Sequence, residues 1–148
     1  MAENLFDRQQ LVIPFVRHLG FRLVKFQDGE SRIEYDLQPE HHNTFQVAHG
    51  GLVMTLLDVT MATAARSLEP DMGVVTIEMK TSFMMPSRGA MAAEGRLMHR
   101  TATMAFVEAA VRDEAGRACA HATGTFKYVQ RLPVGPKDAN GRTVISTD

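Results

Sequence analysis

His41-His42-Asn43-Thr44-Phe45-Gln46-Val47-Ala48-His49-Gly50-Gly51-Leu52-Val53-Met54-Thr55-Leu56-Leu57-Asp58 is the stretch of this 148-residue chain from which its fold is read. Polar side chains crowd its first half. From residue 52 to 65 leucine, methionine and alanine take over, and the run is apolar almost all round. A helix without a clear polar face is normally enclosed by the rest of its domain. The stretch therefore predicts a polar loop, a glycine pair and one long buried helix, which Glu69-Pro70-Asp71 ends.

Upstream, residues 21–26 and 32–37 alternate in polarity around Gln27-Asp28-Gly29-Glu30, the pattern of a β-hairpin. Residues 5–15 form an amphipathic candidate helix, with Pro14 limiting its end. Downstream, Val75, Ile77, Met79 and Phe83 alternate with Thr76, Glu78, Lys80 and Ser82, a period of two. Strand candidates follow at 91–99, 103–112 and 118–129, with a tight turn at Asp113-Glu114-Ala115-Gly116. A hairpin, one buried helix and then long alternating strands predict an α+β fold, an antiparallel sheet wrapped around a central helix. Residues 1–131, N-terminal helix included, read as one domain; from Leu132 proline, glycine and charge replace the alternation, and 132–148 read as a flexible tail.

The bulk numbers exclude some partners. A net charge of -1 and a pI near 6.6 give no basic field for a nucleic acid backbone. The single cysteine, Cys119, cannot form an internal disulfide and reads as a small core residue, which fits a reducing compartment. The N-terminus is polar, and no run approaches the about 18 apolar residues of a membrane span. A soluble, cytoplasmic protein with no membrane partner is expected.

The chemistry concentrates where loop meets helix. Gly50 and Gly51 let a ligand approach free backbone N–H groups at a helix start, where the dipole favours developing negative charge, as in an oxyanion hole. The same pair also serves a plain tight turn. Asp58 sits mid-helix between Leu57 and Val59, where an aspartate has poor propensity and costs free energy to desolvate. It reads as a general base or nucleophile, or else as a structural carboxylate facing a partner or a wet cavity. Gly50 and Asp58 stand eight residues apart, roughly 12 Å along a straight helix. They cannot touch one carbonyl, so if both are catalytic the simplest site lies between two subunits. His41, His42 and His49 lack a second ligand cluster at metal spacing, and no metal site is expected. No phosphate-binding glycine loop and no G-x-S-x-G elbow is present.

Asn43-x5-His49-Gly50-Gly51-x6-Asp58, followed by Val74-Val75-Thr76-Ile77-Glu78-Met79-Lys80-Thr81-Ser82-Phe83-Met84-Met85-Pro86, resembles the signature of hotdog-fold acyl-CoA thioesterases of the PaaI and human THEM-like type. The likeness covers about residues 18 to 129. It implies the hotdog fold, homodimers whose sheets join side by side, and often a tetramer of two dimers. It implies roles as well: Asn43 positions the water or substrate carbonyl, the Gly50 N–H polarises the thioester oxygen, and His49 supports the loop. From the partner subunit Asp58 activates water or attacks, and Thr76 holds the water or the carboxylate. No cofactor is implied. Where the family commonly has glycine between the asparagine and the histidine, this chain has Gln46.

For the acyl end, Gly51 is a substrate-binding candidate, and the methionines Met54, Met61, Met79, Met84, Met85 and Met104 fall where they would line the interior, as core residues or as an adaptable pocket. Met54 and Met85 are the substrate-binding candidates among them. For the coenzyme A end, Arg88 stands just beyond Pro86, with Arg100 and Arg117 as looser candidates. Two other functions compete with an acyl-CoA thioesterase: a hotdog enzyme of enoyl-CoA hydratase type, and an acyl-CoA-binding module without turnover. The order of His49 and Asp58 is not the hydratase's, and an intact Asp58 argues against a pure binder.

Overall fold

In the computed structural model, which describes residues 3–130, the N-terminal region forms two short helices, α1 (Leu5–Arg8) and α2 (Pro14–Leu19), rather than the single helix expected over 5–15. Pro14 starts the second helix instead of ending the first. It has no N–H to leave unpaired and its fixed φ suits the first helical position. Gln10, at φ 53°, breaks the chain direction between them. The tail expected at 132–148 lies outside the described residues.

The hairpin follows as β1 (Arg22–Gln27) and β2 (Glu30–Asp36), then a 3-10 turn at Pro39–His41, the long helix α3 (Gly50–Arg66), and four strands: β3 (Met72–Phe83), β4 (Ala90–Arg100), β5 (Met104–Asp113) and β6 (Ala118–Gln130). These make one antiparallel six-stranded sheet in the order β1-β2-β4-β5-β6-β3, curled around α3. The sheet wrapped around one helix is the architecture the sequence pattern predicts, and it is the hotdog fold that the resemblance implies.

The core lies between α3 and the inner face of the sheet. Leu56, Leu57 and Met61 are fully buried against Leu23, Ile33, Val107, Val111 and Phe126. Each such side chain contributes about 1.5–3 kcal/mol by leaving water. Cys119 is fully buried among them, the small core residue expected. Helix and sheet meet closely at Gly95, where a Cβ would lie 2.8 Å from the carbonyl oxygen of Thr60. That same carbonyl accepts from Ser31 Oγ, and the Tyr128 hydroxyl donates to the Ala65 carbonyl at 2.7 Å. The sheet thus fixes both the height and the rotation of α3.

The helix is not enclosed all round. Gly51 and Met54 are exposed and Thr55 and Asp58 half-buried, which leaves one open stripe. Beside it runs β3, an edge of the sheet whose outer backbone has no neighbour among the described residues. Its register against β6 slips at Ile77: Thr76 opposes Phe126 and Glu78 opposes Thr125, so Ile77 is an extra residue, a β-bulge. The bulge changes the phase of the strand. After it Met79, Thr81 and Phe83 share the helix-facing side with Ala122 and Ala120, while before it that side belongs to Val74 and Thr76. The uninterrupted alternation read over 75–83 is corrected accordingly.

The outer face of the sheet is a lattice of ion pairs, including Arg22–Glu34, Lys25–Glu30, Arg32–Glu94 and Arg96–Glu108. Individually exposed pairs of this kind contribute about 0–1 kcal/mol. Lysine beside Glu30 and arginine beside Glu108 hold both carboxyls below the usual carboxylate range.

Candidate active site

Residues 41–51 form the turn that delivers the chain into α3. Asn43 organises it from within: its Oδ1 accepts the N–H groups of Phe45 at 2.9 Å and Val47 at 3.2 Å, and its own N–H donates to the Val47 carbonyl at 2.8 Å. With Oδ1 occupied, the Asn43 amide N–H₂ is the part of the side chain without a hydrogen-bond partner among the described residues. Gln46 stands in the left-handed region at φ 59°, which accounts for glycine being the residue that suits this position. The Ala48 N–H then donates to the Ser87 carbonyl at 2.9 Å, which sets Arg88, beyond β3, beside this loop.

The end of the loop is tied back to the sheet. The hydroxyl of Tyr35, buried on β2, is hydrogen-bonded to His41 Nδ1. The His41 carbonyl accepts the His49 N–H at 2.9 Å, and His49 Nδ1 accepts the Gly51 N–H at 2.9 Å, capping the helix. One of the open N–H groups of the first turn is so used. The Gly50 N–H has no hydrogen-bond partner among the described residues, and a Cβ on Gly50 would lie 3.6 Å from the Phe83 ring. An unpaired backbone donor at a helix start can take a developing negative charge.

Two turns further along the helix, Asp58 Oδ1 accepts the Thr76 hydroxyl at 2.7 Å. The bulge at Ile77 makes this contact: it places Thr76 on the helix-facing side although Met79 and Phe83 share that side. Thr76 uses its one hydrogen on Asp58, so within the chain it orients the carboxylate. The structure thus divides the expected residues into two groups. Asn43, His49 and Gly50 gather at the start of α3; Asp58 and Thr76 sit together farther down the open stripe.

The methionines expected inside separate. Met61 is fully buried, whereas Met54 at 40%, Met84 at 53% and Met85 at 38% are exposed, beside the helix start and the end of β3. None of the three is core packing: Met54 lies on the open stripe of α3, and Met84 and Met85 follow the end of β3. Of the arginines, Arg100 pairs with Glu69 and lies over the Tyr128 ring, and Arg117 pairs with Asp113. Arg88 is exposed and has no ion-pair partner among the described residues. No group of three or more His, Cys, Asp or Glu in metal-binding proximity occurs among the described residues, and no described helix is long and apolar enough to cross a membrane. Tyr35 and Phe83 carry parts of this geometry that pattern reading did not single out; Tyr35 reads in sequence only as one more inward residue of a strand.

Residues 45–120 match the thioesterase superfamily. A candidate esterase of Saccharolobus solfataricus is 28% identical over 91% of this chain and 94% of its own, and one of Halobacterium salinarum is 31% identical over 71% and 74%. A conserved protein of Pseudomonas aeruginosa of known structure superposes with a TM-score of 0.78 at 28% identity, covering 82% of this chain and 98% of its own. The E. coli PaaI protein of the phenylacetic acid degradation operon shares the fold, with a TM-score of 0.77 at 16% identity over 85% and 91%. The chain belongs to the thioesterase superfamily, and the resemblance to its PaaI-type hotdog members holds. Membership makes it a hydrolase of the esterase and thioesterase kind.

Proposed function

We propose that the protein is an acyl-CoA thioesterase that works as a homodimer, alone or within a dimer of dimers, with each active site shared between two chains. The observation that carries this reading is the separation of the two halves of the chemistry. An unpaired Gly50 N–H and an Asp58 carboxylate held by Thr76 lie on one open stripe of α3, roughly 12 Å apart along its axis. The unpaired edge of β3 runs beside them and exposes Val75 and Ile77. An open edge with apolar side chains is a template for pairing with another strand. Two β3 edges joined about a two-fold axis would bring Asp58 and Thr76 of one chain toward Gly50, Asn43 and His49 of the other.

At such a site the thioester carbonyl oxygen would take the Gly50 N–H, with the Asn43 amide directing carbonyl or water. Asp58 as base removes a proton from water, the hydroxide adds to the carbonyl carbon, and negative charge gathers on the oxygen held by Gly50. Collapse breaks the carbon–sulfur bond, releasing the carboxylic acid and a thiolate that needs little help to leave; Asp58 returns its proton to solvent or sulfur. As a nucleophile Asp58 would instead form an acyl anhydride with loss of the thiolate, and water would then hydrolyse it. Gly51, Met54 and Met85 border the acyl path, and Arg88, beside the loop, suits a phosphate of the coenzyme A end.

Incubation with a panel of acyl-CoAs and a thiol-reactive dye tests the reading. Free thiol identifies a thioesterase. Loss of enoyl absorbance without thiol identifies a hydratase, and binding with neither identifies a non-catalytic module. Asp58→Asn should lower the thiol-release rate at least about a hundredfold while leaving the circular dichroism spectrum unchanged. A variant that keeps most of the rate removes Asp58 from the mechanism.

A further inference from the structure

Tyr35 is an inward residue of β2, 1% exposed, with its ring set edge-on to Phe21 at 5.3 Å. A phenylalanine would fill that place as well. Burying a hydroxyl costs free energy unless it is hydrogen-bonded, so the oxygen of this tyrosine needs partners. It accepts the Gln38 N–H at 3.1 Å and is bonded to His41 Nδ1. Both belong to the 3-10 turn that opens the loop before α3, Gln38 as its cap and His41 as its last residue.

That loop, residues 38–49, is densely bonded within itself. Asn43 Oδ1 accepts two of its N–H groups, and His42 Nδ1 is bonded to the Gln38 and Pro39 carbonyls, each at 3.0 Å. A turn tied together in this way shifts as one piece, so its anchors to the sheet decide where its end lies. At the far end the Ala48 N–H donates to the Ser87 carbonyl at 2.9 Å. At the near end the anchor is the Tyr35 hydroxyl, and His41 carries its position onward. The His41 carbonyl accepts the His49 N–H at 2.9 Å, and His49 Nδ1 accepts the Gly51 N–H at 2.9 Å. Next to that cap stands the Gly50 N–H, which has no hydrogen-bond partner among the described residues. A chain of hydrogen bonds thus joins a side chain of the core to the backbone donor at the helix start.

Burial pushes the Tyr35 phenol above its usual range, so it keeps its proton at neutral pH and serves as neither acid nor base. We propose that Tyr35 is a positioning residue for hydrolysis: through His41 and the cap at His49 it sets the Gly50 N–H where the thioester oxygen becomes negative. The proposal rests on the thioesterase reading above.

The experiment measures kcat and KM separately, by thiol release from whichever of acetyl-, hexanoyl-, benzoyl- and palmitoyl-CoA the wild type cleaves best. Losing an oxyanion donor outright lowers kcat by about 100–1,000-fold, and a donor kept but loosely held should lose part of that. Tyr35→Phe should therefore lower kcat about tenfold and leave KM within about twofold, because the donor acts on charge that gathers only in the transition state. His41→Leu removes the same link from its other side and should match it. The double variant should lose no more than either single one. His41→Asn, whose side-chain amide can stand where Nδ1 stands, should keep most of the rate. In ¹H–¹⁵N spectra the Gly50 and Gly51 amide peaks should shift in Tyr35→Phe and His41→Leu and stay near the wild type in His41→Asn. If Tyr35→Phe does not fold, the two His41 variants decide the matter. An unchanged kcat in a folded Tyr35→Phe or His41→Leu, a loss carried by KM alone, or a double variant whose losses multiply overturns the proposal. Release of no thiol from any of the four by the wild type overturns the thioesterase reading instead.

Discussion

Replacing Thr76 by valine keeps the shape of the side chain and removes the hydroxyl that donates to Asp58 Oδ1 at 2.7 Å. A hydrogen bond to a charged group is worth about 1.5–3 kcal/mol. Thr76 lies on an exposed edge strand, where water replaces part of what is lost, so the low end applies. About 1.5 kcal/mol of lost orientation predicts a roughly tenfold fall in kcat/KM for acyl-CoA hydrolysis. Stability should barely move, because valine suits a strand at least as well as threonine and the position is outside the core. The assay is thiol release under kcat/KM conditions, paired with a thermal melt. Thr76→Ser, which retains the oxygen, should recover most of the rate. Wild-type activity in Thr76→Val would show that the observed bond does not serve catalysis, and an equal loss in Thr76→Ser would show that the hydroxyl is not the cause.

Mixing Asp58→Asn with Gly50→Pro should restore activity, since heterodimers then hold one site with both groups intact; two folded, exchanging variants that stay inactive together would refute a shared site. Gln46→Gly should raise the melting temperature slightly. Relief of a left-handed L-residue, about 1–2 kcal/mol, exceeds the entropic cost of glycine, about 0.5–1 kcal/mol, and Gln46→Val should lower it; a glycine variant that melts earlier contradicts the assignment of strain. The carboxyls of Glu30, Glu108 and Asp113 sit below their ordinary values, held chiefly by Lys25, Arg96 and the Arg117 backbone N–H. Their contribution to stability is therefore present above the unfolded carboxylate pKa of about 4 and lost as pH falls through the lower folded values. The urea midpoint should hold from neutral pH down to about 5 and then decline, and a midpoint that rises on acidification would be the contrary result.

Element order was legible because each element declares its period: the apolar run after Gly51 has no strand alternative, and the strands after it alternate over ten residues or more. Phase was less legible. Ile77 continues the alternation of Val75 and Met79 perfectly, yet it is the extra residue of a bulge, a feature decided by pairing with β6 and not by β3 alone. Pro14 signals both a helix end and a helix start, and only the break at Gln10 chooses between them. Asp58 and Gly50 stood out because each is costly or permissive where it sits, and Asn43 only through the family resemblance. The Oδ1 of Asn43 proved to be engaged by its own loop, and Tyr35 gave no sign, because a tyrosine facing inward from a strand looks the same whether or not its hydroxyl orders a distant imidazole.

The open edge of β3 has a consequence for how the protein answers to dilution. On the shared-site reading, a lone chain has a complete core and no complete site, so folding and activity follow different concentration laws. Melting of each chain would report the packing around α3 whatever the concentration. Turnover would follow the fraction of edges that have met, and well below the dissociation constant of the pair the total rate would fall with the square of the chain concentration. Diluting this hydrolase would then switch it off without unfolding it, and concentrating it would switch it back on.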